Sequence, residues 1–166
     1  MKESISVVSM KTKGKGVFDM AELYQNMKFW LDFQGYGDHE KTFQEEKYVE
    51  RIKGDSKQIE IRWRADKIFN EYVSYTMGIT FFILGLKEVQ VEKEGKKIGS
   101  NKGEVEIRFN AKLNLDWKDK WKSTVSQRVY NNLIIRDKIE AHKTDLYNKT
   151  YVLYDEVKKF FEMYGV

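Results

Sequence analysis

The stretch VEIRFNAKLNLDW, residues 105–117, alternates apolar and polar side chains over its whole length. A period of two is typical of a β-strand with one face buried and the other in water. QIEIRWRA, residues 58–65, repeats the pattern and carries a glutamate and two arginines at its polar positions. Two such strands predict an antiparallel sheet with one apolar face and one charged face.

The segments around these two strands extend the predicted sheet into a meander. Further strands are predicted at residues 4–11, 43–53, 72–84 and in a shorter run from residue 89. Turn-forming Gly, Asp, Ser and Asn residues separate them, at residues 54–56, 94–95 and 100–103. The chain is therefore expected to hold five or six strands in one antiparallel sheet.

Two helices are predicted on either side of the meander. Apolar residues recur at helical spacing over residues 20–34 and again from Ile139 to Tyr164. Because a sheet with one apolar face needs a cover, we expect the long C-terminal helix to pack on it. The sequence predicts a single α+β domain over residues 1–166, similar to the helix-grip arrangement. A ferredoxin-like two-layer sandwich is the alternative, and it fits less well because no helix interrupts the meander.

Composition excludes several classes of protein. The 166 residues are 41% hydrophobic and include no cysteine, so a real core is expected without disulfides, thiolate zinc sites or cysteine nucleophiles. No window approaches the roughly 18 apolar residues of a membrane span, and the N-terminal apolar run is too short for a signal peptide. A cytoplasmic protein that does not contact a membrane is predicted.

The sequence contains no recognisable catalytic or metal-binding motif. No serine stands in a G-x-S-x-G context, and the two histidines, His39 and His142, are isolated from each other. We therefore predict no catalytic residue, no metal site and no cofactor, and favour a role without catalysis.

The glycine- and lysine-rich stretch KTKGKGVFD, residues 11–19, invites comparison with a phosphate-binding loop. Its glycine spacing matches neither the Walker loop nor the dinucleotide fingerprint. Asp19 and Glu22 form an Asp-x-x-Glu capping box that satisfies the first N–H groups of the following helix. Since a phosphate there would lie beside negative charge, the stretch is predicted to be a flexible basic connection.

Positive charge is concentrated in two segments, residues 1–17 and 117–143, although the formal net charge is only +4. Basic groups neutralise phosphates and aromatic rings stack on bases, so these segments and the charged strand positions suit RNA or ribosome association. The alternative is a solvated sheet surface in which Arg and Glu pair across strands. The candidate nucleic-acid contacts are Lys11, Lys13, Lys15, Arg62, Arg64, Arg108, Lys112, Lys118, Lys120 and Lys122.

A second class of function is binding without nucleic acid. The semi-polar side of residues 72–82, with Ser74, Thr76 and Thr80, is predicted to line a cavity between sheet and helix for a small apolar ligand. Phe29 and Phe33 lie opposite the apolar stripe of their helix and are predicted to dock a protein, including a second copy in a homodimer. A non-enzymatic binding or protein-interaction module is the leading hypothesis, and RNA association is the alternative.

Four stretches of the chain stand out as a set, namely KGKGVFD, QIEIRW, FFILGL and the C-terminal KKFFEMY. Together they resemble a group of small uncharacterised archaeal proteins. The resemblance implies a shared fold over most of the chain and no particular activity, so it assigns a role to no residue.

Overall fold

The computed structural model describes residues 1–37 and 43–165, which form an α+β protein with one five-stranded antiparallel sheet. The predicted fold class is confirmed, including the N-terminal helix and the long C-terminal helix. The elements are β1 (Glu3–Phe18), α1 (Met20–Phe33), β2 (Phe43–Lys53), β3 (Ser56–Ile68), β4 (Val73–Lys93), β5 (Lys96–Leu115), α2 (Thr124–Val129), a π-helical turn (Tyr130–Ile134) and α3 (Arg136–Met163).

The strand order in the sheet is β1-β5-β4-β3-β2, so the first strand lies beside the last. The strands β2 to β5 follow one another as a meander without an intervening helix, which rules out the ferredoxin-like alternative. β1 is antiparallel to β5, with Glu3 opposite Leu115 and Phe18 opposite Asn101. The first strand thereby extends the meander at the free edge of its last strand, and β1 and β2 are the two edge strands of the sheet.

The core lies on one face of the sheet, beneath α1 and α3. Alternate residues of the three central strands are fully buried there, and they are joined by the apolar stripes of both helices. Each large apolar side chain buried in this way contributes about 1.5–3 kcal/mol. Among them are Trp63, Met77, Ile79, Phe81, Ile107 and Phe109 from the sheet and Leu23, Met27, Leu146 and Leu153 from the helices. Within residues 1–37 and 43–165, no helix covers the opposite face of the sheet.

The prediction of a flexible connection over residues 11–19 is wrong, because residues 11–18 form the second half of β1. Gly14 faces the helices and is buried, and a Cβ atom there would lie 2.7 Å from Cδ1 of Phe161 in α3. Glycine lowers strand propensity, which is why the sequence suggests a loop. The close approach of α3 to β1 is the physical reason for a glycine in this strand.

The predicted turn at residues 100–103 is also wrong, because β5 runs through it without interruption. The predicted short strand from residue 89 is the end of β4, and the turn at Glu94 and Gly95 joins the two strands. Residues 89–100 pair only with each other, since β3 ends opposite Leu86 and β1 ends opposite Asn101. We call this projecting two-stranded segment the hairpin arm.

The segment between β5 and α3 contains one short helix and one π-helical turn. Ser123 caps α2 by accepting a hydrogen bond from the Ser126 N–H. Three apolar side chains spaced four residues apart in this region are exposed and do not join the core, namely Val125, Val129 and Leu133.

Candidate functional site

The uncovered side of the sheet, which we call the open face, presents rows of side chains that cross the strands. One row crosses all five strands and carries four cations. Since neighbouring strands lie about 4.8 Å apart, this row spans roughly 19 Å. Its members are Lys47, Arg62, Thr80, Arg108 and Lys11. We call it the cationic row.

A depression lies beside the cationic row, centred on Gly78 in β4. Gly78 stands between Arg64 of β3 and Asn110 of β5, and it presents no side chain to solvent. A Cβ atom at this position would meet only ordinary contacts, the nearest being Asn110 O at 3.7 Å. The depression has a volume of about 510 Å³. Its lining includes Arg62, Arg64, Arg108, Lys112, Thr76, Thr80, Asn110 and Asn114.

The three arginines that line the depression make only weak ion pairs. Each contacts one carboxylate two residues away on its own strand: Arg62 with Glu60 at 3.9 Å, Arg64 with Asp66 at 3.6 Å and Arg108 with Glu106 at 3.3 Å. All three arginine side chains are more than half exposed, and each is joined to its carboxylate by a single nitrogen–oxygen pair within 4.0 Å. Exposed pairs of this geometry contribute little stability, so the arginines can exchange these partners for an anionic ligand.

The lysines of the open face differ in how closely they are paired with carboxylates. The Lys47 ammonium lies 2.9 Å from Glu60 and lowers the pKa of that carboxyl by hydrogen bonding to it. Lys11 and Lys13 share Glu106, at 3.8 and 3.9 Å from one carboxylate oxygen. Within the described residues Lys112 has no ion pair. The alternation of β1 also places Lys15 on this face, opposite Glu104.

Hydrogen bonds hold one end of the depression in place. Thr76 donates to Asp66 at 2.6 Å, and the amide of Asn114 donates to Thr76 at 2.8 Å and to Ser74 at 3.2 Å. These contacts join β3, β4 and β5 across the face. The polar side chains there are therefore ordered before any ligand arrives.

The structure changes the expected place of the predicted ligand residues. Ser74, Thr76 and Thr80 were expected to face a space between sheet and helix, and they lie on the open face. The reason is the strand period of two, because the intervening residues, among them Tyr75 and Met77, point into the core and are buried. The predicted ligand residues and the predicted RNA contacts thus occupy one surface.

The predicted RNA contacts do not all lie together. Lys118 and Lys120 pair with Glu71 in the turn between β3 and β4, at 3.0 and 3.2 Å. Lys122 is exposed in the segment that leads to α2. The other predicted contacts lie on the open face, at Lys11, Lys13, Lys15, Arg62, Arg64, Arg108 and Lys112. Lys47 belongs with them, but only the register of β2 against β3 reveals it.

A separate apolar surface lies on the helical side. Phe29 and Phe33 are 71% and 77% exposed, and their ring centroids are 6.5 Å apart. They border a groove of about 310 Å³ between α1 and α3, which we call the helical groove. Its lining includes Met27, Leu153, Val157 and Phe160.

His142 has a structural environment rather than that of a metal ligand. Its Nδ1 lies 2.6 Å from the Tyr75 hydroxyl, which also approaches Asp145 at 3.4 Å, and these contacts link α3 to β4. Burial lowers the pKa of His142 and raises the pKa of Tyr75. Residues 1–37 and 43–165 contain no cluster of three potential metal-binding side chains. His39 lies outside the described residues.

No protein-family model matches the sequence, and no curated protein is significantly similar to it. In the described part of the chain, every helix is too short or too polar to cross a membrane. The likeness to small archaeal proteins and the cytoplasmic location stay predictions. Because a fold alone assigns no activity, function has to be argued from the surfaces described above.

Proposed function

We propose that the protein is a non-enzymatic RNA-binding protein whose open face holds single-stranded RNA. The observation that supports this most directly is the cationic row, in which Arg62 and Arg108 flank Thr80 and lysines stand at both ends. Such a row offers successive positive charges to a phosphodiester backbone. The depression at Gly78 brings amide and hydroxyl groups within reach of the same strand.

The chemistry of the open face favours a single strand over a duplex. In the described residues the open face itself presents neither a helix nor a separate two-stranded ribbon, which are the elements that enter the major groove, where duplex sequence is read. Unstacked bases can instead stack on arginine planes or aromatic rings and form hydrogen bonds with Asn, Ser and Thr. Phe82 supplies an aromatic ring on this face, with Arg108 Cζ 4.9 Å from its centroid.

The first test is the salt dependence of binding to a labelled oligouridylate, measured by fluorescence anisotropy. If four cations each neutralise one phosphate, the logarithm of affinity falls with a slope of about −2.8 against the logarithm of salt concentration. Affinity then drops about 50-fold between 50 and 200 mM salt. Salt-independent binding, or tighter binding to duplex DNA of the same length, would contradict the proposal.

The second test removes two guanidinium groups from the cationic row. The double variant Arg62→Gln/Arg108→Gln is expected to reduce the steepness of the salt slope by about 1.4, since each lost phosphate contact accounts for about 0.7. The matched control is Lys158→Gln/Lys159→Gln, which removes the same charge from the exposed surface of α3 on the other side of the sheet. An equal change in both variants would show that net charge alone drives binding.

A second candidate function is self-association through the helical groove. The exposed rings of Phe29 and Phe33 and the groove lie side by side on one surface. Such a surface is self-complementary in a twofold dimer, because the rings of each copy can enter the groove of the other. This candidate concerns assembly and is compatible with RNA on the opposite side of the molecule.

A further inference from the structure

A second cleft, which we call the edge cleft, lies between the start of β1 and the helical segments that follow β5. It has a volume of about 600 Å³, within the range of small-molecule sites. Its lining comes from five elements and includes Lys2, Ile5, Leu115, Arg128, Asn132 and Arg136. None of these residues belongs to the open-face contacts described above.

The π-helical turn shapes one wall of the edge cleft. Its wide hydrogen bond runs from the Ile135 N–H to the Tyr130 carbonyl, at 3.1 Å, and the turn between them presents Asn131 and Asn132 to the cleft. The Asn131 amide donates to Glu3 at 3.3 Å. Single π-helical turns are costly and occur frequently at functional sites.

A second contact fixes the same wall to β1. The Gln127 side chain is buried, and its amide donates to the Met1 carbonyl at 2.7 Å. Together with the contact from Asn131 to Glu3, it holds the cleft wall against the first strand. These two hydrogen bonds therefore fix the shape of the cleft.

The charges of the edge cleft are not balanced internally. Lys143 pairs with Glu140 on its own helix at 3.1 Å. Within the described residues, Lys2, Arg128 and Arg136 have no ion pair or side-chain hydrogen bond. Among the lining side chains, four cations against the two carboxylates of Glu3 and Glu140 leave a net charge of +2, and the Met1 ammonium at the cleft is paired with Asp116 and Asp119. This is the place where the basic segments at residues 1–17 and 117–143 meet.

The floor of the edge cleft is apolar. Leu115 and Ile139 are buried and Ile5 is half-buried, and all three side chains line the cavity. A ligand that suits this site carries a charge near −2 and a body that can cover apolar surface. A phosphate monoester has a charge of about −1.5 to −2 at pH 7, whereas a carboxylate has −1.

We propose that the edge cleft binds a small organic phosphate monoester. Arg128 and Arg136 take the phosphate, because guanidinium groups bind phosphate oxygens through paired hydrogen bonds. Lys2 adds charge from β1, and the exposed Asn132 amide supplies a further donor. The organic body lies on Ile5, Leu115 and Ile139. This site and its ligand are independent of RNA binding on the open face.

The test uses phenyl phosphate as the probe, with binding measured by calorimetry and by NMR shifts of the Asn and Gln side-chain amides. We expect saturable binding with shifts at Asn132 and Gln127. The variant Arg128→Gln/Arg136→Gln is expected to bind at least about tenfold more weakly, since charge-assisted hydrogen bonds are lost. The control Arg62→Gln/Arg108→Gln removes two arginines from the open face and is expected to bind phenyl phosphate as the parent protein does.

Two further probes separate the parts of the proposal. Inorganic phosphate is expected to bind more weakly than phenyl phosphate because it leaves the apolar floor uncovered, and benzoate more weakly because it carries half the charge. If inorganic phosphate binds as tightly as phenyl phosphate, the cleft does not recognise an organic body. If benzoate binds as tightly, the cleft does not select a phosphate group. Either result contradicts the proposal. If the open-face control loses phenyl phosphate binding while the edge-cleft variant keeps it, phenyl phosphate binds on the open face and not in the edge cleft. Circular dichroism and the unfolding midpoint of each variant establish that it is folded.

Discussion

The backbone of Gly14 lies against the ring of Phe161, where α3 packs on β1. The ring is buried and also meets Phe18 edge-on, with centroids 5.8 Å apart, so it has little room to move. We expect Gly14→Ala to lower the free energy of unfolding by about 1–3 kcal/mol, the usual cost of overpacking. Urea unfolding followed by circular dichroism measures this change.

Gly99 in the hairpin arm provides the matched control for Gly14. A Cβ atom there meets no atom within 4 Å, and its φ does not fall in the left-handed region. Gly99→Ala is expected to change the free energy of unfolding by less than about 0.5 kcal/mol. Because Ala in place of Gly lowers the entropy of the unfolded chain and thereby stabilises the fold, similar losses in the two variants would show that contact with Phe161 does not cause the loss.

The contact between His142 and Tyr75 predicts a pH dependence of stability. Burial lowers the pKa of His142 below its ordinary value of 6.5, and nearby Asp145 opposes this effect only in part. The unfolded chain therefore binds a proton at higher pH than the folded protein does. The stabilisation is complete above the ordinary pKa and declines as pH falls through 6.5 towards the lower folded value.

The measurement is the free energy of unfolding between about pH 8 and about pH 5.5, a range chosen above most carboxyl titrations. The variant His142→Gln keeps an acceptor for the Tyr75 hydroxyl but does not titrate. We expect the parent protein to lose more stability than this variant as pH falls. Parallel profiles would mean that another group, His39 included, causes the dependence.

At the scale of the element, α1 shows which parts of a helix start can be predicted from sequence. The cap is confirmed, since the Asp19 carboxylate accepts from the Glu22 N–H at 3.1 Å. The reciprocal half of the predicted capping box differs, because the Glu22 carboxylate accepts from the Tyr164 hydroxyl at the end of α3. That bond raises the pKa of Tyr164 to about 12. The local motif therefore predicts the Asp19 cap correctly. It does not predict the partner of Glu22, because Tyr164 lies more than a hundred residues further along the chain.

The outer surface of α1 carries the prediction for self-association. Because Phe29 and Phe33 are mostly exposed, Phe29→Ser/Phe33→Ser is expected to leave the free energy of unfolding within about 0.5 kcal/mol of the parent value. If the helical groove joins two copies, the variant sediments as a monomer at concentrations where the parent protein sediments as a dimer. Identical sedimentation of both proteins excludes the groove as a dimer contact.

At the scale of the whole molecule, periodicity predicts the faces of strands but not their neighbours. The alternation in β3 and β5 correctly places Arg62, Arg64, Arg108 and Lys112 away from the core. The cationic row depends on register and on the pairing of β1 with β5, and these are set by contacts between distant segments. For the same reason the sequence does not reveal that Lys47 joins the open face.

The edge cleft marks a further limit of prediction from sequence. It requires the start of β1 to lie beside residues 124–143, and no local pattern specifies that contact. A π-helical turn likewise has no period that distinguishes it from an ordinary helix over five residues. Charge clustering alone indicates that the two basic segments matter, and the fold determines which of their side chains meet.

The hairpin arm gives a prediction about the stability of the sheet as a whole. Its residues, 89–100, pair only across one ladder and are mostly exposed, whereas the middle of β4 is hydrogen-bonded on both sides and buried. A two-stranded hairpin is only marginally stable in water, so the arm is expected to open without the rest of the sheet. Native-state hydrogen exchange then shows much faster exchange at Val91 than at Ile79 of the same strand. Equal protection of these two amides would mean that both exchange only when the whole protein unfolds. The arm would then belong to the same cooperative unit as the core, which contradicts the prediction.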